Sequence, residues 1–424
     1  MFKVKWILAG IFLVSFFAAF SNAQTSAEMK ESGKFERQAT EDYKAKNYAQ
    51  FLANIKRAAD LRPNHALLLY NLAAASALNN KTDAALTILE RLGAMNLFFA
   101  IEKDEDFKSL LNQPRFKKIQ ARFADNQKAV GKDEKAFTIP QKNLNIEGIA
   151  YDAAAKRFFV SSITHQKIMI VDAVGKVSDF SSETDGLWSV FGMRVDEQRK
   201  ILWATTNALP QIQTFHKSGI FKYDLETGKL LKKYILPDEA RHVLGDLTIA
   251  KNGDVFASDS FSPNIYRIET KKDELELFLT SDLFNSLQGL NFSADEIFLF
   301  VADYSKGVFR ITMKDKKIVQ IAADANTNLL GIDGLYFYQG DLIAIQNNFQ
   351  PHRVARFFLN KGFSRITKSA TLEANHADFK EPTLGVRSDE NFYYIANSQG
   401  ASANQINKSS AEKLKEPTVL RLKL

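Results

Sequence analysis

The sequence predicts an all-β six-bladed β-propeller preceded by an α-helical domain, and two patterns support this fold class. Residues 35–126 show the helical spacing of apolar side chains, whereas residues 137–424 contain six copies of a strand-rich segment. The chain has 424 residues, of which 45% are hydrophobic and 25% charged. This composition is that of a globular protein long enough for more than one domain.

Composition also excludes several classes of chemistry. The chain has no cysteine, so it has no disulfide, thiolate metal site, cysteine nucleophile or lipid-modified cysteine. Its formal net charge is +7, but lysine and arginine are scattered among acidic residues without a basic run. We therefore expect no nucleic-acid partner.

Residues 1–23 are typical of a secretory signal peptide. Lys3 and Lys5 precede an apolar run over residues 7–20, and small residues at Ser21 and Ala23 provide a cleavage site. An uncleaved membrane anchor is the alternative, but the run is shorter than the ~20 residues of a membrane span. No later segment is apolar for long enough to span. We expect cleavage after Ala23 and an exported protein, periplasmic or extracellular.

The helical domain is predicted over residues 35–126. Turns at residues 46–49 and 80–83 lie 34 residues apart, and each is followed by an amphipathic segment rich in alanine and leucine. This spacing resembles the tetratricopeptide repeat, which implies paired helices over about two repeats. Residues 106–123 are predicted to form a further helical pair that caps the stack. The pairs are expected either to bind a peptide or to pack against the next domain.

A polar linker is predicted at residues 127–136, and the six strand-rich copies follow. Their apolar strands end at positions separated by 43, 54, 44, 44 and 50 residues. A period of about 45 residues with several strands per copy is typical of propeller blades. The strand at residues 137–139 and the C-terminal strand at 418–424 are predicted to close the sixth blade. Four strand-end residues are expected to form turns: Asp259, Asp303, Asn347 and Asn397.

Short motifs in this domain resemble the senescence-marker-protein/gluconolactonase group. Residues 147–152 with 157–162 are similar to the first blade of that group, and residues 286–290 and 332–335 look like its fourth and fifth blades. The resemblance covers about residues 137–424. It implies a six-bladed propeller that binds a central divalent cation and hydrolyses a lactone or ester.

The family's metal ligands are a glutamate, two asparagines and an aspartate at the inner starts of blades. Glu147 and Asp333 match the two acids, and Gln288 replaces one asparagine. Gly245 stands where the other asparagine is expected, next to Asp246. The resemblance therefore implies a metal set of Glu147, Asp246, Gln288 and Asp333.

Propeller geometry gives a separate reason to expect a site at the axis. Inner strands begin beside the axis, so the acidic residues there should converge together with Gln288, and Glu381 is a further candidate. Such carboxylates either hold a cation or have raised pKa values. Oxygen ligands favour a hard ion, Ca²⁺ before Mg²⁺. The alternative is that each acid only accepts hydrogen bonds from turn amides.

Candidates for proton transfer are few. We select Asp333 and His242 as candidate catalytic residues, the latter because it lies near Asp246 in sequence; His165, His216 and His352 are expected in loops. A metal-polarised carbonyl with a nearby base would hydrolyse a lactone or ester. The sequence leaves two functions open. One is an exported cation-dependent hydrolase, and the other is a non-catalytic scaffold that binds a protein or peptide through the helical repeats and a propeller face.

Overall fold

The N-terminal region is helical in the computed structural model, which describes residues 24–399 and 414–424. The predicted signal peptide lies outside the described residues. The helices are α1 (Ser26–Lys44), α2 (Tyr48–Leu61), α3 (Ala66–Leu78), α4 (Thr82–Ala94) and α5 (Pro114–Asn126), with short 3-10 helices at Ile101–Lys103 and Glu105–Leu110. Helix α1 starts before the predicted position 35 because Thr25 and Glu28 form a capping box at its N-terminus. None of the described helices is long and apolar enough to cross a membrane.

The helices pack as antiparallel neighbours, α1 with α2 and α3 with α4. The two predicted turns separate the helices of each pair, so that α2 begins at Tyr48 and α4 at Thr82. These starts have the 34-residue spacing seen in the sequence. This arrangement is compatible with a helical repeat. Helix α5 packs on α4, as expected for a capping element.

Residues from Glu134 onward form a six-bladed β-propeller of four-stranded antiparallel sheets, which confirms the predicted fold class. The strands are β1 (Glu134–Thr138), β2 (Ile149–Asp152), β3 (Arg157–Ser162), β4 (Lys167–Val171), β5 (Val177–Asp179), β6 (Ser189–Asp196), β7 (Ile201–Asn207), β8 (Ser218–Asp224), β9 (Leu230–Ile235), β10 (Leu244–Ile249), β11 (Val255–Asp259), β12 (Asn264–Glu269), β13 (Glu274–Thr280), β14 (Leu287–Phe292), β15 (Phe298–Asp303), β16 (Gly307–Thr312), β17 (Ile318–Gln320), β18 (Ile332–Tyr338), β19 (Asp341–Gln346), β20 (Arg353–Leu359), β21 (Ile366–Ala374), β22 (Gly385–Ser388), β23 (Asn391–Ile395) and β24 (Thr418–Lys423). Blades one to five use consecutive strands from β2 to β21.

The ring closes as predicted, because the sixth blade combines both ends of the domain. Strand β1 pairs antiparallel with β24, with Phe137 opposite Val419, and β24 pairs with β23. Strand β1 starts at Glu134, inside the stretch predicted as a linker. This pairing ties the two ends of the domain together within one blade.

Glycines at the inner strands let neighbouring blades approach closely at the axis. A Cβ atom on Gly148 would lie 2.0 Å from the carbonyl oxygen of Phe191, and one on Gly192 would lie 2.7 Å from Oδ1 of Asp246. Side chains larger than hydrogen are therefore excluded at these positions. The close approach brings the residues that begin each inner strand to one place.

The helical region packs against the propeller at blades four and five. Its apolar core, built from α3, α4, α5 and the 3-10 segments, also contains Leu330 and Phe349 of the propeller. Ser26 donates hydrogen bonds to the carbonyl oxygen of Asp282, and Arg91 donates to that of Ala325. The helices therefore bury their apolar surface against this domain, which is one of the two expectations for them.

Candidate functional site

A cavity of about 260 Å³ lies at the axis, where the inner strands of the six blades begin. Its wall contains all the acidic and amide residues that the sequence predicted to converge there: Glu147, Asp246, Gln288, Asp333 and Glu381. Gly245 also lines it. Strand ends contribute further polar side chains: Ser260, Tyr304, Asn347 and Ser398. The cavity is thus a polar chamber made by residues distant in sequence.

Glu147 and Asp333 lie at the inner strands of blades one and five, which flank the sixth blade. Oε2 of Glu147 accepts a hydrogen bond of 3.0 Å from the hydroxyl of Ser398. Oδ2 of Asp333 accepts one of 2.8 Å from the side-chain amide of Asn347, whose oxygen accepts a bond from the Tyr304 hydroxyl. Each carboxylate therefore accepts a hydrogen bond from a neutral side chain.

Both carboxyl groups are strongly perturbed by their surroundings. Burial, together with the nearby negative charge of Asp333, raises the pKa of Glu147 well above its usual value. Burial also raises the pKa of Asp333 to about 7, and the charges of Asp246 and Glu381 act in the same direction. The site therefore has negative charge that its own hydrogen bonds do not balance, which favours a proton or a cation.

Asp246 has a cation of its own, which the sequence analysis did not find. Its Oδ2 lies 2.9 Å from Nη2 of Arg194, and the Asp246 side chain is 1% exposed. The guanidinium of Arg194 also faces the ring of Tyr336, 5.7 Å from the ring centroid. Burial raises the pKa of Asp246, and the Arg194 charge opposes that rise. Arg194 thus provides a fixed counter-charge at Oδ2 of Asp246.

Gln288 and Gly245 lie together beside Ser260. The Ser260 hydroxyl donates a hydrogen bond of 3.3 Å to Oε1 of Gln288. A Cβ atom on Gly245 would lie 2.6 Å from the same hydroxyl oxygen. The serine therefore occupies the space that a side chain at position 245 would need, so an asparagine would not fit there without displacing it.

His242 does not line the cavity and has both ring nitrogens occupied. Nδ1 lies 2.6 Å from Oδ2 of Asp259, and Nε2 lies 2.9 Å from Oδ1 of Asp238. Burial alone would lower the pKa of His242, but the hydrogen bonds with these two carboxylates outweigh it and raise the pKa. His242 therefore bridges the carboxylates of Asp238 and Asp259. His165, His216 and His352 lie in loops.

Asn347 has a different place from the one predicted for it. Asp303 accepts bonds from the turn amides of Ser305 and Lys306, as expected for a residue that forms a turn. Asn347 instead donates to Asp333 and lines the cavity. Asn347 occupies the same position in its repeat as residues that only form turns. The repeat does not show which strand ends face the axis, so the sequence did not predict this role.

The donor set is compatible with a hard divalent cation. Two carboxylates, Glu147 and Asp333, share the chamber with the amide oxygens of Gln288 and Asn347, and all four donors are oxygens. Among residues 24–399 and 414–424, however, no three acidic, histidine or cysteine side chains cluster closely enough to hold a metal ion. A cation here would rely on two carboxylates supplemented by amides.

Comparisons with known proteins support the fold. No family model matches the chain, and no curated protein matches it. Among solved structures, a luciferin-regenerating enzyme superposes with a TM-score of 0.50 at 11% identity, over 68% of this chain and 94% of that one. A gluconolactonase from Xanthomonas campestris gives 0.46 at 14% identity, over 69% and 91%. A sugar dehydrogenase from Streptomyces coelicolor gives 0.48 at 12% identity, over 70% and 99%.

The fold defines the class of protein. The chain is a six-bladed β-propeller with an N-terminal helical region, and its structural neighbours include gluconolactonase-like propellers. At such low identity the likeness is one of fold, and different propellers support different activities.

Proposed function

We propose that this protein is an exported hydrolase that uses a divalent cation, Ca²⁺ before Mg²⁺, to open a lactone or a similar small ester. The observation that carries the proposal is the pair of perturbed carboxyl groups, Glu147 and Asp333, in the axial cavity. Perturbed acids in a cleft are typical of functional sites. The cavity volume of about 260 Å³ suits a small polar substrate.

Glu147 and Asp333 would hold the cation, with Gln288 and Asn347 offering amide oxygens. When bound, a divalent cation polarises the carbonyl oxygen of an ester. The Ser398 and Asn347 hydrogen bonds keep the two carboxylates in place before the substrate enters. Arg194 keeps Asp246 neutralised, so the net negative charge lies mainly on the other acids of the cavity.

Asp333 is the group best suited to accept a proton from an attacking water. Burial raises the pKa of this carboxyl to about 7 in the cation-free protein. A bound cation would lower this pKa, so the ionised, proton-accepting form would be present at neutral pH. Asn347 fixes Oδ2 of this carboxylate and so orients it toward the cavity. His242 has no part in this scheme, because Asp238 and Asp259 occupy its nitrogens.

The test is hydrolysis of a panel of aldonolactones and aryl esters by chelator-treated protein, with and without added Ca²⁺. We expect Ca²⁺-dependent turnover that falls by roughly 100-fold or more in Asp333→Asn, since removing a general base costs about that much. Asp238→Asn is the matched control, because this exposed carboxylate lies outside the cavity. Turnover that is unchanged in Asp333→Asn would contradict the assigned base.

A binding role is the alternative function, and the helical region is the observation that favours it. Paired helices of this kind often bind peptides on a concave face, and a propeller face could add to such a surface. If the wild-type protein binds no cation and captures a defined protein partner, this alternative would be favoured. Export to the periplasm or outside the cell is part of both proposals.

A further inference from the structure

Two segments of blade five run from the central cavity into the core of the helical region. Asp333 follows Leu330 by three positions, and Asn347 precedes Phe349 by two. Leu330 and Phe349 are 7% and 9% exposed, and both belong to the apolar core of the helices. The segments that carry the Asp333–Asn347 pair are therefore the ones that insert into the neighbouring domain.

Phe349 is fixed in that core by specific contacts. The ring of His65, at the start of α3, meets it edge-on with the ring centroids 6.1 Å apart. The backbone amide of Phe98 donates a hydrogen bond of 2.8 Å to the carbonyl oxygen of Gln350, the next residue. Both the side chain and the backbone of this loop are thus attached to the helical region.

Arg353 provides a second attachment. Its Nη1 lies 3.2 Å and 3.3 Å from the carbonyl oxygens of Met95 and Asn96, at the C-terminal end of α4, where a cation is favoured. Its Nε donates to Oε1 of Gln346, and the Gln346 amide donates to the carbonyl oxygen of Leu330. One arginine therefore ties a helix end to both blade-five segments.

Inside the blade the two segments are joined by hydrogen bonds. The backbone amide of Asn347 donates to the carbonyl oxygen of Gly331 at 3.1 Å, and its side-chain amide holds Asp333 at 2.8 Å. Glu147 precedes the inner strand of blade one and belongs to neither segment. A shift of the helical region would therefore move Asp333 relative to Glu147.

We propose that Phe349 and Arg353 are positioning residues, through which the helical region sets the placement of Asp333 and Asn347 in the central cavity. The helical region is then a structural part of the site. The effect on cation binding rests on the proposed function, whereas the mechanical link rests on the contacts alone.

The experiment uses the whole protein and compares Phe349→Ala with Phe278→Ala. Phe278 is a matched control, since it is 7% exposed and lies on β13 of blade three. Hydrogen exchange is followed by mass spectrometry in peptides that cover residues 331–347. We expect these amides to exchange about 10-fold faster in Phe349→Ala, because loss of the Phe349 contacts would let the blade-five segments open more often. In Phe278→Ala they should exchange at the wild-type rate. Phe349→Met, which conserves volume, should restore protection.

Calorimetric titration with CaCl₂ gives the second readout. We expect Phe349→Ala to weaken Ca²⁺ binding by about 10-fold, as for partners that orient a metal ligand, and Phe278→Ala to bind as the wild type does. If the wild type binds no Ca²⁺, the proposed function fails while the exchange data still decide the coupling. If Phe349→Ala does not fold, Arg353→Lys takes its place. Unchanged exchange at residues 331–347 in the folded variant would overturn the proposal.

Discussion

Arg194 and Asp246 form an ion pair beside the central cavity, with the carboxylate almost completely buried. Removal of either partner should destabilise the fold, because an unpaired buried charge costs about 3–5 kcal/mol of folding free energy. The pair also distinguishes Asp246 from Glu147 and Asp333, which accept hydrogen bonds from the neutral side chains of Ser398 and Asn347.

We therefore expect Arg194→Met to lower the free energy of unfolding by about 3–5 kcal/mol, measured by urea denaturation. The double variant Arg194→Met with Asp246→Asn should recover most of this loss, because no charge is then left unpaired. Arg199→Met is the control, since its pair with Asp196 is more exposed. Equal losses in the single and double variants would argue against the ion pair as the cause.

Sequence reasoning at this scale identified Glu147, Gln288 and Asp333 because each begins an inner strand in a repeat of known period. It could not find Arg194 or Ser260, since neither lies at a position that the repeat marks. Their roles depend on the approach of adjacent blades, such as the contact between Gly192 and Asp246. Such contacts depend on tertiary packing and leave no local pattern.

At the scale of elements, β1 is joined to blade five by a pair of acids. Asp133, just before β1, receives a hydrogen bond from the Tyr394 hydroxyl and faces Glu373 of β21, which is 2% exposed. Gly131 makes this packing possible, since a Cβ there would lie 1.8 Å from Oε2 of Glu373. Burial and then the charge of Asp133 raise the pKa of Glu373 from 4.5 to about 8.

This raised pKa predicts the pH dependence of stability. The folded state binds the Glu373 proton more tightly than the unfolded state, so its contribution is present below pH 4.5 and is lost as pH rises to about 8. We expect Glu373→Gln to reduce the fall in unfolding free energy over that range. Glu276→Gln, at a partly exposed position on β13, should leave the fall above pH 4.5 unchanged, because a hydrogen bond from Arg267 lowers the pKa of Glu276. An identical pH profile in Glu373→Gln would contradict this assignment.

The blades themselves were predictable, because turn residues and apolar runs recur along the chain with a regular period. The closure by β1 and β24 was also predictable, since both are alternating segments without a local partner. The start of the propeller was less so: β1 begins within a polar segment, at Glu134, because its pairing with β24 and not its own composition makes it a strand.

At the scale of the whole molecule, the helical region and the propeller share one apolar core through Leu330 and Phe349. Packing of the helices on the propeller was one of two expectations from the sequence. The sequence could not identify Leu330 and Phe349 as the contact residues, because they resemble ordinary loop hydrophobics of the repeat. Shared burial couples the two parts energetically, so they should unfold together.

We expect one unfolding transition in urea when two signals are compared. Far-ultraviolet circular dichroism at 222 nm reports mainly the helices, whereas fluorescence reports the propeller through Trp188 and Trp203. The midpoints should coincide in the wild type and separate in Phe349→Ala. A helical signal that is lost first in the wild type would show that the two parts are not coupled.

The most direct test of the account is a calorimetric titration of the metal-free protein with Ca²⁺, alongside Glu147→Gln and Asp333→Asn. We expect one Ca²⁺ per chain in the wild type and binding weaker by about 100-fold or more in each variant, because carboxylate ligands set the affinity of a Ca²⁺ site. Absence of binding in the wild type, or equal binding in all three proteins, would contradict a cation held between Glu147 and Asp333.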